Sequence, residues 1–263
     1  MRRTTIEIQG ADIRPGGSQH LDRNRPGGLI RKFLSFFGTT GLQGGSVIES
    51  ILGDPQAAAQ FSIRAVTRDP SKASAQDLIA NGVECVAADM DDTGSLRSAL
   101  MGAYAVFVVT NFWEKLNADA EIQQGKNVAD ISNELDIKHL VWSSLLNSPM
   151  ENWINVFHFD SKAPVEEYIR QIGIPASFFL PGFYMSNIPG RSMRLNLDTK
   201  ELRFGRPVPG TSPIPLPDTA ADTDKFVKRM LLNREKGMSA TLQEEMLQNM
   251  QLMPEFGYYG TNL

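Results

Sequence analysis

Three glycines spaced three residues apart, Gly38, Gly41 and Gly44, stand where an apolar run ends and a helical pattern begins, in SFFGTTGLQGGSV at residues 35–47. A chain that ends a strand near Phe37 and enters a helix at once must bend sharply, and glycine accepts the positive φ involved. A turn without a Cβ lets a pyrophosphate approach the backbone, and another glycine lets helix and strand pack closely. The helix that follows offers unpaired N–H groups and the positive end of its dipole to phosphate. No Gly-Lys-Ser/Thr follows, which excludes a Walker P-loop. The spacing is GxxGxxG rather than GxGxxG, so a purely structural turn stands as the alternative to a dinucleotide cradle.

The second chemical signal is a cation. An acid at the end of the second strand would take the ribose 2′-OH of NAD. Here FSIRAVTRDPSK ends in Thr67-Arg68, with Lys72 close behind. The planar fork of an arginine pairs with a 2′-phosphate, which favours NADP(H). Asp69 follows directly and can serve a 2′-OH, so NAD(H) is kept as a second cofactor. A solvated arginine on a loop is the structural alternative.

A third candidate is His158, whose unperturbed pKa near neutrality suits a general acid or base. On one helix, His158 and Lys162 would share a face. Pro164 opposes helical continuation at residue 160, which puts the helix start near Ser161 and His158 just outside it. A polar residue before a helix is the plainer reading of His158. His20 and His139 suggest no metal site, because ligand clusters with metal spacing are absent. The single cysteine, Cys85, sits in the apolar run VECVA and reads as buried and inert.

Alternating elements must position these groups. KFLSFFG, FSIRAVTR, VECVAAD, YAVFVVTN, IKHLVWSS and PASFFLPG read as six strands. Between them, LQGGSVIESILGD, KASAQDLIANG, SLRSALMG, ADAEIQQGKNVADISNELD and APVEEYIRQIG read as helices. Strands alternating with helices predict an α/β fold, a doubly wound parallel sheet of Rossmann type. After Gly182 the pattern weakens, with one helix from about Asp218 and another in SATLQEEMLQNMQLM before the aromatic tail PEFGYYGTNL. The expected organisation is a disordered N-terminal arm at 1–30, a dinucleotide-binding domain at 31–190, and a small C-terminal lobe at 191–263. That lobe would cap the carboxyl ends of the strands, where open α/β sheets bind ligands.

Bulk properties fit such a protein. At 263 residues, with 41% hydrophobic and 21% charged residues, the chain can bury a sizeable core. A net charge of -4 gives no ground for a surface devoted to nucleic acid or membrane. No apolar run approaches the roughly 18 residues of a membrane span, and the start has no apolar signal region. One cysteine suits a reducing compartment, so the expected location is the cytoplasm, with the nucleus open.

Several segments together resemble the NmrA-like branch of the atypical short-chain dehydrogenases/reductases: FFGTTGLQGGSVIESIL, IRAVTRDPSK, VVTNFWE, HLVWSSLLN and HFDSKAPVEEYIR, with PDTAADTDKFV and LQNMQLMPEFGYYG further on. The resemblance implies an NAD(P)-binding Rossmann core with a small C-terminal lobe. It places Gly38, Thr40, Gly41, Leu42, Gln43 and Gly44 around the pyrophosphate and Arg68 on the 2′-phosphate. It sets Asp89 and Met90 beside the adenine, and Thr110, Asn111 and Phe112 along the path to the nicotinamide. Lys162 would bind the nicotinamide ribose. Without the resemblance, Asp89 reads as an ordinary loop or N-cap acid.

Active short-chain dehydrogenases use a Tyr-x-x-x-Lys pair, and the matching place here reads His158-Phe159-Asp160-Ser161-Lys162. The lysine is kept and the tyrosine is a histidine. Ser143 and Ser144 occupy the place of the dehydrogenase serine, although a strand-end serine is also a turn or capping group. Only GMSATLQEEM joins FVKRMLLNREK to LQNMQLM, so the C-terminal lobe is shortened, and Phe183, Tyr184 and Met185 would line what remains. Two functions follow. One is an NADP-dependent oxidoreductase reducing a small apolar carbonyl or enone, with Lys162, His158 and Ser144 as catalytic candidates. The other is a catalytically inactive redox sensor that binds NAD(P) and regulates a partner protein such as a transcription factor.

Overall fold

The computed structural model describes residues 31–145, 160–188, 193–204 and 216–232. The expected arm at 1–30, His158, the final helix and the aromatic tail lie outside the described residues. The described residues belong to one compact unit, which begins at Arg31.

Six strands make the sheet: β1 (Lys32–Phe36), β2 (Phe61–Thr67), β3 (Glu84–Ala87), β4 (Ala105–Val108), β5 (His139–Ser143) and β6 (Ala176–Phe179). Every pairing is parallel and the order is β3-β2-β1-β4-β5-β6. That is the doubly wound Rossmann order, whose reversal point falls between β1 and β4. All four residues of β4, AVFV, are buried, as a central strand covered on both faces requires.

Helices α1 (Leu42–Leu52), α2 (Pro55–Gln60), α3 (Ala73–Ala80), α4 (Thr93–Leu100), α5 (Phe112–Lys115), α6 (Ala118–Glu134) and α7 (Ala163–Ile172) fill the connections. Alternation along β4 shows the two faces: Ala105 and Phe107 join one apolar layer, Val106 and Val108 the other. The first layer holds Val47, Ile48 and Ile51 of α1. The second holds Leu96 of α4, Val128 and Ile131 of α6, and Val165 and Ile169 of α7. The last two helices approach closely because Gly125 has no side chain; a Cβ there would meet Val165 Cγ1 at 2.6 Å and the Trp142 ring at 2.9 Å.

The structure adds elements that the sequence reading lacks. In α2, Asp54 caps the N-terminus, accepting from Gln56 N at 2.9 Å and Ala57 N at 3.2 Å, with Pro55 in the first turn. α5 is one short turn ending at Leu116 in the left-handed region. Strands β7 (Met193–Leu195) and β8 (Leu202–Phe204) form an antiparallel pair. Helix α8 (Thr219–Leu232), expected from about Asp218 in the capping lobe, packs on α1. Its Val227, Met230 and Leu231 enter the same apolar layer as Leu34 and Phe36. The apolar stripe of α8 is thus buried against the sheet domain.

Candidate functional site

A cleft of about 790 Å³ opens beside the carboxyl ends of β1 and β4, and the glycine turn forms one of its walls. Gly38 adopts φ +65°, and a Cβ there would meet Val109 Cγ1 at 2.2 Å. A Cβ on Gly44 would lie 2.5 Å from the Gly38 carbonyl oxygen, so the first turn of α1 crosses the loop at backbone contact. Gly41 is the extended N-cap of α1, and no side chain caps the helix. The first N–H groups of α1 therefore have no intrahelical partner. The buried hydroxyl of Thr39, next to Gly38, also has no hydrogen-bond partner among the described residues. A bare helix N-terminus behind a Cβ-free turn fits a pyrophosphate.

Side chains divide the glycine-turn candidates by role. Gly38, Thr40, Gly41, Leu42 and Gln43 line the cleft, whereas Gly44 is spent on helix–loop packing. The Gln43 amide is committed inside the protein. Its Oε1 accepts from Ser143 Oγ at 2.8 Å, and its Nε2 donates to the Tyr184 hydroxyl. Gln43 can therefore offer a phosphate its backbone N–H rather than its side chain. The bridge ties the end of β5 and the loop after β6 to the glycine turn, with Ser143 and Tyr184 lying 100 and 141 positions from Gln43.

Arg68, Asp89 and Met90 line the cleft just after the carboxyl ends of β2 and β3. The Arg68 guanidinium is paired with Glu114 of α5, and this bond, reinforced by Asp89 and Asp91, raises its pKa above the ordinary arginine value. Lys72 lies outside the cleft lining, at the N-cap of α3, and Asp69 spends its carboxylate on Ser71 N at 2.9 Å and Ser71 Oγ at 2.6 Å. Of the three groups expected near a 2′-phosphate or 2′-OH, only Arg68 lines the cleft.

Lys162 lines the cleft as well, with Thr110, Asn111 and Phe112, which follow β4. Lys162 immediately precedes α7, where Pro164 sets the first turn, in agreement with the expected helix start. Its ammonium donates to Thr110 Oγ1 at 2.7 Å, Thr110 O at 3.2 Å and Glu121 Oε1 at 3.0 Å. Ser161 Oγ donates to the second Glu121 oxygen, and Trp142 Nε1 donates to the Lys162 carbonyl at 3.3 Å. Burial pulls the Lys162 pKa below its ordinary value, and Glu121 opposes that pull. Ser144 also lines the cleft with its side chain fully buried. Phe183 and Tyr184 line it too, and Met185 does not. Burial pushes the Tyr184 phenol up, against a smaller lowering by Gln43.

Two residues here escape sequence reasoning. Glu121 left a signal: it shares the stripe of α6 that buries Gly125, Val128 and Ser132, and a carboxylate on a buried stripe requires a partner. Glu114 left none, because its pairing with Arg68, 46 residues away, depends on the strand order. His139, read as no metal ligand, is fully buried, with Nε2 2.9 Å from Ser177 Oγ. Among the described residues no group of His, Cys, Asp and Glu is arranged to hold a metal ion, and no helix is long and apolar enough to cross a membrane.

Comparison with known proteins gives the same picture. The model of the NmrA-like family matches residues 31–256. Over 166 residues the chain is 31% identical to the NmrA-like family domain-containing oxidoreductase ptmS of Penicillium ochrochloron, covering 60% of this chain and 48% of that protein. It is 34% identical over 161 residues to the corresponding oxidoreductase malD of Malbranchea aurantiaca, covering 56% and 47%. The chain thus spans about half the length of the curated relatives it matches. Among solved structures, NmrA, a negative transcriptional regulator in complex with NADP, superimposes with a TM-score of 0.68 at 23% identity, over 79% of this chain and 63% of that one. The triphenylmethane reductase of a Citrobacter species, complexed with NADP(H), gives 0.50 at 25% identity, over 58% and 50%. With its glycine turn, its parallel sheet and a family match over most of its length, the chain belongs to the NmrA-like family.

Proposed function

We propose that this protein binds NADP(H), with NAD(H) as a weaker alternative, and acts as an oxidoreductase on a small apolar carbonyl or enone. The observation that carries the reading is Lys162. Its ammonium is held in the cleft lining by Thr110 and Glu121, close behind the end of β4. In the extended pose that the cleft suggests, the pyrophosphate lies on the N-terminus of α1, the adenosine half near Arg68, Asp89 and Met90, and the nicotinamide half near Thr110 and Lys162.

The nicotinamide would supply hydride chemistry. The chain's own residues bind, orient and polarise. To reach a ribose hydroxyl, Lys162 would exchange one of its Thr110 contacts, while Glu121 keeps the side chain aimed. A fixed cation there also favours negative charge developing on a substrate oxygen, more strongly than it would in water. Ser144, which follows β5 and lines the cleft, would hydrogen-bond a substrate carbonyl in exchange for its contact with Leu145 O. His158 remains the proposed proton source.

The deciding experiment is NADPH consumption against quinones, enones and aldehydes, with Lys162→Met and His158→Ala alongside. Turnover that falls at least about a hundredfold in both variants, with NADP+ binding retained in His158→Ala, supports the oxidoreductase. A second reading is the redox sensor, which holds the same nucleotide and signals to a partner protein. It is favoured by the commitment of Lys162 to protein acceptors. No turnover, combined with a partner captured in one redox state of the nucleotide, would replace the first reading with the second.

A further inference from the structure

Resting on the dinucleotide reading, we propose that Glu114 is a specificity-determining residue: its carboxylate competes with the 2′-phosphate of NADP(H) for Arg68 and narrows the preference over NAD(H). Arg68 is the one guanidinium lining the cleft among the described residues, and it is paired with Glu114, which lines the cleft too. The Arg68 side chain is 57% exposed and that of Glu114 36%, so both are within reach of a ligand.

The surroundings make the competition unavoidable. Glu114 sits on α5, whose next residue, Lys115, binds Asp91 Oδ2 at 2.5 Å, while Gln124 Nε2 donates to the same oxygen at 3.1 Å. Asp91 thereby ties α5 to the loop after β3, and the carboxylate of Glu114 stays beside Arg68. A 2′-phosphate carries close to two negative charges and seeks the fork of a guanidinium. It must displace Glu114 or accept it as a like-charged neighbour, with Asp89 and Asp91 adding to the same acidic field. A 2′-hydroxyl meets no such conflict, because it is neutral and can donate to a carboxylate. Glu114 therefore penalises one cofactor and spares the other.

The test is calorimetric titration of the full chain with NADP+ and with NAD+, for wild type, Glu114→Gln, Arg68→Ala and the double variant. Glu114→Gln keeps the shape, removes the charge, and lies at an exposed position that leaves folding intact. It is expected to tighten NADP+ about three- to tenfold, the scale of an exposed ion pair plus one close repulsion, and to change NAD+ less than about twofold. The gain should vanish in the Arg68→Ala background and shrink in high salt. A shift equal for both nucleotides, an unchanged ratio, or a gain that persists without Arg68 overturns the proposal and leaves the dinucleotide site standing. Wild type binding neither nucleotide overturns the underlying reading, and this proposal with it.

Discussion

Lys162 Nζ lies 3.0 Å from Glu121 Oε1, with the glutamate side chain buried at 2% exposed and the lysine side chain nearly so at 11%. A lysine that immediately precedes one helix and a glutamate in the first turn of another neutralise each other where neither could stand alone. Removing one partner leaves an uncompensated buried charge. Glu121→Ala should cost about 3–5 kcal/mol in denaturant unfolding, and Glu121→Gln distinctly less, because the amide oxygen still accepts from the ammonium. Equal losses for the two variants would show that the whole loss comes from the missing charge and that the retained hydrogen bond contributes nothing.

The same pair sets a pH dependence. Burial holds the folded Lys162 pKa below the ordinary 10.5, with Glu121 opposing. Between that depressed value and 10.5 the unfolded chain binds more protons than the folded one, so the lysine's contribution makes stability rise with pH in that window. Wild type minus Lys162→Met, measured by denaturant unfolding across the alkaline range, should show this positive slope. A flat difference would mean that Lys162 titrates alike in both states.

Crowding at the glycine turn predicts a graded series. Gly38→Ala combines a strained φ with a Cβ 2.2 Å from Val109 Cγ1 and should cost roughly 2–5 kcal/mol. Gly44→Ala drives a Cβ to 2.5 Å from the Gly38 carbonyl oxygen, for about 1–3 kcal/mol, and should also weaken nucleotide binding. Gly125→Ala on α6, crowded by Val165 of α7, is the control: similar destabilisation, with nucleotide affinity kept in the folded fraction. Titration calorimetry beside unfolding midpoints separates the two effects.

Gln43→Ala should cut the tie from the glycine turn to the end of β5 and the loop after β6, costing about 1–3 kcal/mol. The lost N–H donor lowers the Tyr184 pKa in the wild type, so the variant's phenol should titrate still higher. Ultraviolet titration reads this as one tyrosine moving up. No movement would mean that the amide does not hold the phenol.

Cys85 should react slowly with an aromatic disulfide reagent at neutral pH. Burial pushes its thiol above the ordinary 9.0, and Sγ lies 3.6 Å from the Ala75 carbonyl oxygen. As the chain's single cysteine it gives an unambiguous rate, and unfolding should accelerate it. Equal rates in folded and unfolded protein would contradict the packing.

Legibility followed the range of the interactions. The glycine turn, the alternation of strands and helices, and the break at Pro164 are local, since each rests on residues within a few positions of one another. α2 carried its own signal, an Asp-Pro start, yet is too short for hydrophobic periodicity to mark it. Lys162 was legible as a candidate, but its clamp was not, because Thr110 and Glu121 lie 52 and 41 positions away. Lys72 and Asp69 show the reverse: both stand near Arg68 in the chain, and neither lines the cleft.

Composition and spacing by themselves determined an α/β chain with a glycine turn between its first strand and first helix and an arginine at the end of its second strand. Backbone conformation and apolar period act over a few residues, and a linear reading captures them. The partners of the charges were decided only in three dimensions. Glu114 meets Arg68, Glu121 meets Lys162 and Gln43 joins Ser143 to Tyr184 because the order β3-β2-β1-β4-β5-β6 brings distant strand ends to one edge. Sheet order is a property of the packed whole, and no local pattern encodes which carboxylate will face which cation.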